Sequence, residues 1–129
     1  MGITSIALGS ALALGAAVAA PVALATPAAA APSCSAGYVC LFNETDGADG
    51  LRVAYQYRLS TYVGQTYYGS AVALNDSVEA VFYNFQRVGA AFYHDANYAR
   101  EITRYYVGQQ GFRNWTPGAT NSASSHNEI

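Results

Sequence analysis

Residues 91–98, Ala91-Phe92-Tyr93-His94-Asp95-Ala96-Asn97-Tyr98, decide how this chain is read. An aromatic run enters a short polar loop and leads on to a second run, Ile102 to Val107, the pattern of a β-hairpin. The same order occurs upstream, where Cys40-Leu41-Phe42 enters a polar, Gly-containing loop, Asn43 to Gly50, ahead of Leu51 to Tyr57. Each hairpin is trailed by a similar turn. Leu74-Asn75-Asp76-Ser77-Val78-Glu79-Ala80 lines up with Ala119-Thr120-Asn121-Ser122-Ala123-Ser124-Ser125. The chain is thus a twofold repeat, each half reading as hairpin, strand and Asn/Ser turn. Two such units predict an all-β sandwich of two four-stranded Greek keys packed face to face.

Outward from the repeat, short runs rich in Val, Tyr, Phe and Leu alternate with Gly, Asn, Asp and Ser. No stretch after Cys34 carries helical apolar spacing. The strand candidates are Val39 to Phe42, Leu51 to Tyr57, Val78 to Phe85, Ala90 to Tyr93 and Ile102 to Val107. In the second of these, Leu51, Val53, Tyr55 and Tyr57 share one face. The polar tail from Thr116 is expected to fray beyond His126.

The first 31 residues differ in kind: they carry no charge and consist mainly of Ala, Val, Leu and Gly. This predicts a secretory signal peptide over residues 1–31, cut between 25 and 31, although no Lys or Arg precedes the apolar run. A retained membrane anchor is the competing reading. Residues 32–129 then form one exported domain, with no membrane contact once the signal is removed. The two cysteines, Cys34 and Cys40, suit a disulfide, since a metal site would need further Cys or His nearby. Closing so short a ring contributes ~2–2.5 kcal/mol by chain entropy. The net charge is −2 and lysine is absent, so the basic face of a nucleic-acid binder is missing.

The hairpin with two spaced aromatics, followed by the Asn/Asp and Ser turn, resembles the βγ-crystallin Greek-key motif. Within that fold, the opening C-x₅-C, with Gly37-Tyr38-Val39 before Cys40, resembles the secreted actinobacterial peptidase-inhibitor family typified by the streptomycete metalloprotease inhibitor. The resemblance spans Cys34 to about His126. Three departures stand out: Arg100 replaces the hairpin Gly of the second unit, Gly47 replaces the second aromatic of the first, and Asp49 stands where Gly belongs. Gly50 follows one residue later, as if that hairpin had gained a residue.

The resemblance implies a non-enzymatic peptidase inhibitor that inserts a rigid loop as a substrate mimic, with an extracellular peptidase, a metallopeptidase first, as partner. Two segments qualify as the reactive loop: the one holding Tyr62 and Val63, and the inter-unit connection holding Arg87 and Val88. The crystallin turns point to calcium through Asn75, Asp76, Glu79, Asn121 and Ser124. Both copies are degenerate, with Glu79-Ala80 in place of Ser-Ser and Thr120 opening a turn that has no carboxylate. No cofactor is expected, and these side chains are assigned to the turn backbone. Catalysis lacks a constellation: the histidines are His94 and His126, and no nucleophile motif occurs. Tyr67-Tyr68 and Tyr105-Tyr106 each place one ring inside and one outside, which suits a protein interface. A monomer is expected. The alternative is a non-inhibitory crystallin-type module for calcium, glycans or a cell surface.

Overall fold

The computed structural model describes residues 32–129; the signal-peptide reading falls on residues 1–31 and lies outside them. Seven strands form two antiparallel sheets. β1 (Val39–Phe42), β2 (Arg52–Tyr55), β3 (Ala80–Tyr83) and β6 (Gly111–Asn114) make one sheet in the order β2-β1-β3-β6. β4 (Ala90–Asp95), β5 (Ala99–Tyr105) and β7 (Ser125–Glu128) make the other, in the order β5-β4-β7.

The Greek keys are therefore interleaved rather than stacked as separate sheets. The second unit lends β6 to the first unit's sheet, where Val81 pairs with Arg113. The first unit returns a single bridge, Leu59 to His126, beside β7. This bridge is the vestige of its third strand, and it explains why residues 58–68 are poorly patterned for a strand.

The repeat is visible atom by atom. Asp76 and Asn121 both take left-handed backbone, at φ 57° and 56°. The Asp76 N–H donates to the Ala123 carbonyl, and the Asn121 N–H donates to the Val78 carbonyl. Glu79 N–H donates to Phe42 O, as Ser124 N–H does to Tyr93 O. Trp115 N–H donates to Glu79 O, as Tyr62 N–H does to Ser124 O. Each unit thus satisfies the other's turn, and neither half completes its backbone bonding alone.

Several boundaries shift from the sequence reading. β2 stops at Tyr55, and Tyr57 is 71% exposed instead of sharing the buried face. β3 is confined to Ala80–Tyr83, while β4 runs on through Asp95. β5 starts at Ala99, before the apolar run, and ends at Tyr105. β6 and β7 were not anticipated. The tail does not fray: Ser125 and His126 are fully buried, β7 pairs with β4, and Ile129 exchanges backbone hydrogen bonds with Gly89. A polar strand reads as a tail because its pairing, not its apolarity, holds it.

The core lies between the sheets. Val39, Leu41 and Val81 from one face meet Ala90 and Phe92 from the other, with Tyr62, Tyr83 and Trp115 filling the middle. Phe92 stacks edge-on against Trp115 at 5.3 Å between ring centres. A second cluster, outside the four-stranded sheet, packs Cys34, Cys40, Phe42 and Ala80, with Phe112 edge-on to Phe42.

Candidate functional site

At the far end of the sandwich from the inter-unit connection, the turn residues form two small clusters. Glu79 accepts from Asn121 Nδ2 at 3.1 Å and from the Thr45 N–H at 3.1 Å, and these bonds hold its carboxyl below the usual range. Asp76 accepts from Asn75 Nδ2 at 2.9 Å and from Ser124 Oγ at 3.2 Å. Each cluster centres on one carboxylate already receiving N–H or O–H donors. Calcium takes six to eight oxygens, and each cluster offers one carboxylate beside hydroxyl and amide oxygens, of which Asn75 Oδ1 is buried without a partner among the described residues. The bonds from Asn121 to Glu79 and from Ser124 to Asp76 tie the two repeats together.

Tyr62 does not occupy a loop surface. It is fully buried, and it holds the place in the first unit that Trp115 holds in the second. Its hydroxyl lies 2.9 Å from His126 Nδ1, and His126 Nε2 lies 2.9 Å from the Tyr57 carbonyl. A carbonyl only accepts, so Nε2 carries the proton and Nδ1 accepts from Tyr62. Burial keeps His126 neutral, pushing it down to about 4, and the same burial raises Tyr62 well above its ordinary value. A side chain fixed in this way cannot enter an enzyme cleft. Val63 beside it is 68% exposed, at the tip of a tight turn closed by Gln65 N–H to Tyr62 O.

Arg87 and Val88 sit differently. The connection 86–88 is exposed between two fixed points. On one side Phe85 is buried, and its carbonyl accepts from Gln110 Nε2. On the other, the Val88 carbonyl accepts from the Tyr83 hydroxyl at 2.7 Å. The next residue, Gly89, approaches Tyr105 O and Ile129 so closely that a Cβ would lie 2.6 Å from that oxygen. The Cys34–Cys40 disulfide has formed, and its loop supports the same segment. Asn84 Nδ2 donates to Cys34 O, Gly37 N–H donates to Asn84 O, and Gln86 Nε2 donates to Asn84 Oδ1. Beside the connection opens a cleft of about 550 Å³ lined by Gly37, Tyr57, Phe85, Arg87, Val88 and Glu128.

A scaffolded loop over a cleft suits a binding protein, and the comparisons agree. The sequence profile described as "Peptidase inhibitor family I36" matches residues 27–105. The chain belongs to this family. No curated protein matches the chain. Among solved structures, a βγ-crystallin domain from work on the evolution of the eye-lens fold superposes with a TM-score of 0.56 at 14% identity, over 76% of this chain and 90% of that one. A βγ-crystallin from Ciona intestinalis superposes with a TM-score of 0.52 at 16% identity, over 72% and 100%. These likenesses establish the βγ-crystallin fold, and the family assignment makes this I36 member a non-enzymatic peptidase inhibitor.

The structure separates the loop candidates of this I36 member: Tyr62 in the core, Val63 at a turn tip, Arg87 and Val88 on the braced connection. It also exposes residues that were not singled out as loop residues, notably Tyr57, Tyr106 and Val107. For Tyr106 a signal existed, since adjacent tyrosines in a strand must face opposite ways, and Tyr105 is buried while Tyr106 is not.

Proposed function

We propose that this protein is a secreted inhibitor of metallopeptidases that presents Gln86-Arg87-Val88 to the enzyme cleft as a substrate-like segment. The carrying observation is the bracing on both sides of an exposed Arg87-Val88, by Gln110 on Phe85 O and Tyr83 on Val88 O. Such a segment has already lost its conformational entropy, so it binds tightly without settling into the geometry for efficient cleavage. Val88 supplies the apolar side chain that a thermolysin-type cleft takes after the scissile bond. The zinc in this encounter belongs to the enzyme. Val63 ranks below, because it lies at the tip of the turn closed by Gln65 N–H to Tyr62 O and outside the cleft that Arg87 and Val88 line. Export is supported by the uncharged, Ala-rich residues 1–31 together with a disulfide, which persists in oxidising compartments.

The test is inhibition of a panel of secreted metallo- and serine peptidases by the purified domain. Val88→Asp is expected to weaken inhibition about 100-fold, the effect of losing a central anchor, while Val63→Asp leaves it nearly unchanged. The reverse ranking would move the reactive segment to the 62–65 turn. The domain is expected to act without calcium, so its melting temperature should be the same in chelator and in millimolar calcium.

A further inference from the structure

The ends of the sandwich differ in chemistry. Register fixes which loops share an end: Val39 pairs with both Tyr55 and Tyr83, Tyr83 with Gly111, and Ala90 with both Tyr105 and Glu128. Just beyond these pairs lie Tyr57, the 84–89 connection, Tyr106, Val107 and Ile129. Five exposed large apolar residues gather there: Tyr57, Val88, Tyr106, Val107 and Ile129. The remaining three, Val63, Tyr68 and Val72, are scattered along the connection between β2 and β3. Exposed apolar residues normally occur singly, and a cluster with Tyr and Arg is the composition of an interface.

Charge is sorted in the same sense. Glu44, Asp46, Asp49, Asp76, Glu79 and Asp95 all lie toward the opposite end; Glu101 sits part-way along β5, and Glu128 is the single carboxylate at the apolar end, in the lining of the cleft. At the apolar end Arg87 is exposed, and Arg113 lies over the Tyr105 ring and donates to Gln109 O. Neither is in an ion pair among the described residues, whereas Arg100 and Arg104 are paired with Asp95 and Glu101.

We infer that this whole end, and not the 86–88 segment alone, docks on the partner, and that the partner is a peptidase whose cleft is rimmed by carboxylates. The inference rests on the inhibitor reading above and extends it. Tyr106, Val107 and Tyr57 cover the rim of the cleft around the inserted segment, and Arg87 meets the acidic rim. The acidic pole turns away, so the molecular dipole orients the approach and raises the association rate.

The experiment takes the panel peptidase that the unaltered protein inhibits best and measures association and dissociation rates at low and high salt. The proteins compared are the unaltered domain, Tyr106→Ala, Arg87→Gln and Glu44→Gln, each with its melting curve. Tyr106→Ala is expected to speed dissociation about 10-fold or more, and Arg87→Gln to slow association and flatten its salt dependence. Glu44→Gln should alter neither rate by more than about twofold. Inhibition that persists with all three variants unchanged would overturn this inference and leave the inhibitor reading standing. Absence of inhibition by folded protein across the panel would overturn both.

Discussion

His126 is the residue on which the packing around Tyr62 turns. Its ring packs against Tyr55, Tyr62 and Phe92 at 5.4, 5.6 and 6.0 Å between centres, and it is fully buried. The folded ring titrates near 4, whereas an unfolded His does so near 6.5, so between these values the unfolded chain binds the extra proton. Stability is therefore full above about pH 6.5 and falls as the pH drops, by about 3 kcal/mol at pH 4. Urea titrations at pH 7, 5.5 and 4 should show this slope, and a flat profile would contradict the buried neutral ring. Tyr62→Phe removes the donor to Nδ1 and should cost about 1–3 kcal/mol at neutral pH, read from the same titrations. Nothing in the sequence marked His126 as buried, since it sits in a run of Ser and Asn. Arg100 was legible as a departure from the hairpin Gly, and the structure shows why: its φ is +55°, backbone that Gly adopts without strain. Arg100→Gly should raise the urea midpoint, because the exposed ion pair to Asp95 contributes little in return.

Among the elements, the apolar strands were legible and the polar ones were not. Val39–Phe42 was read to the residue because all four positions are buried. β7 was missed because its stability is cooperative: Phe92 pairs with His126, Tyr93 with Ser125, and only the fold supplies those partners. Deleting residues 125–129 should abolish the cooperative melting transition in circular dichroism, though the sequence there looks dispensable. The first hairpin was read correctly as a variant with one inserted residue. Gly47 and Tyr98 hold equivalent left-handed positions, at φ 65° and 61°, with Gly50 at 72° after the extra residue. Where Tyr98 packs on Tyr93, a Cβ at Gly47 would press within 3.3 Å of the Phe42 ring, which turns instead to Phe112. Replacing both Cys34 and Cys40 by Ser should cost ~2–2.5 kcal/mol and weaken inhibition as well, through Asn84 and the segment it braces.

For the molecule as a whole, the twofold repeat carried the fold, but it did not carry the interleaving of sheets or the sorting of charge. Those depend on which loops share an end, and only register settles that. The same limit applied to the loop: Tyr62-Val63 and Arg87-Val88 look alike as short apolar-containing segments, and only the fold shows Tyr62 buried and residues 86–88 braced beside a cleft. A sandwich braced by reciprocal turns at one end leaves the other to present an exposed segment on a rigid base. The most direct measurement is titration of a thermolysin-type metallopeptidase with the purified, folded domain, followed by residual activity and by cleavage of the inhibitor. The expected result is loss of activity at a stoichiometric ratio, with any slow cleavage confined to Arg87-Val88. Full activity at a large excess of folded domain, here and across the panel of secreted peptidases, would contradict it.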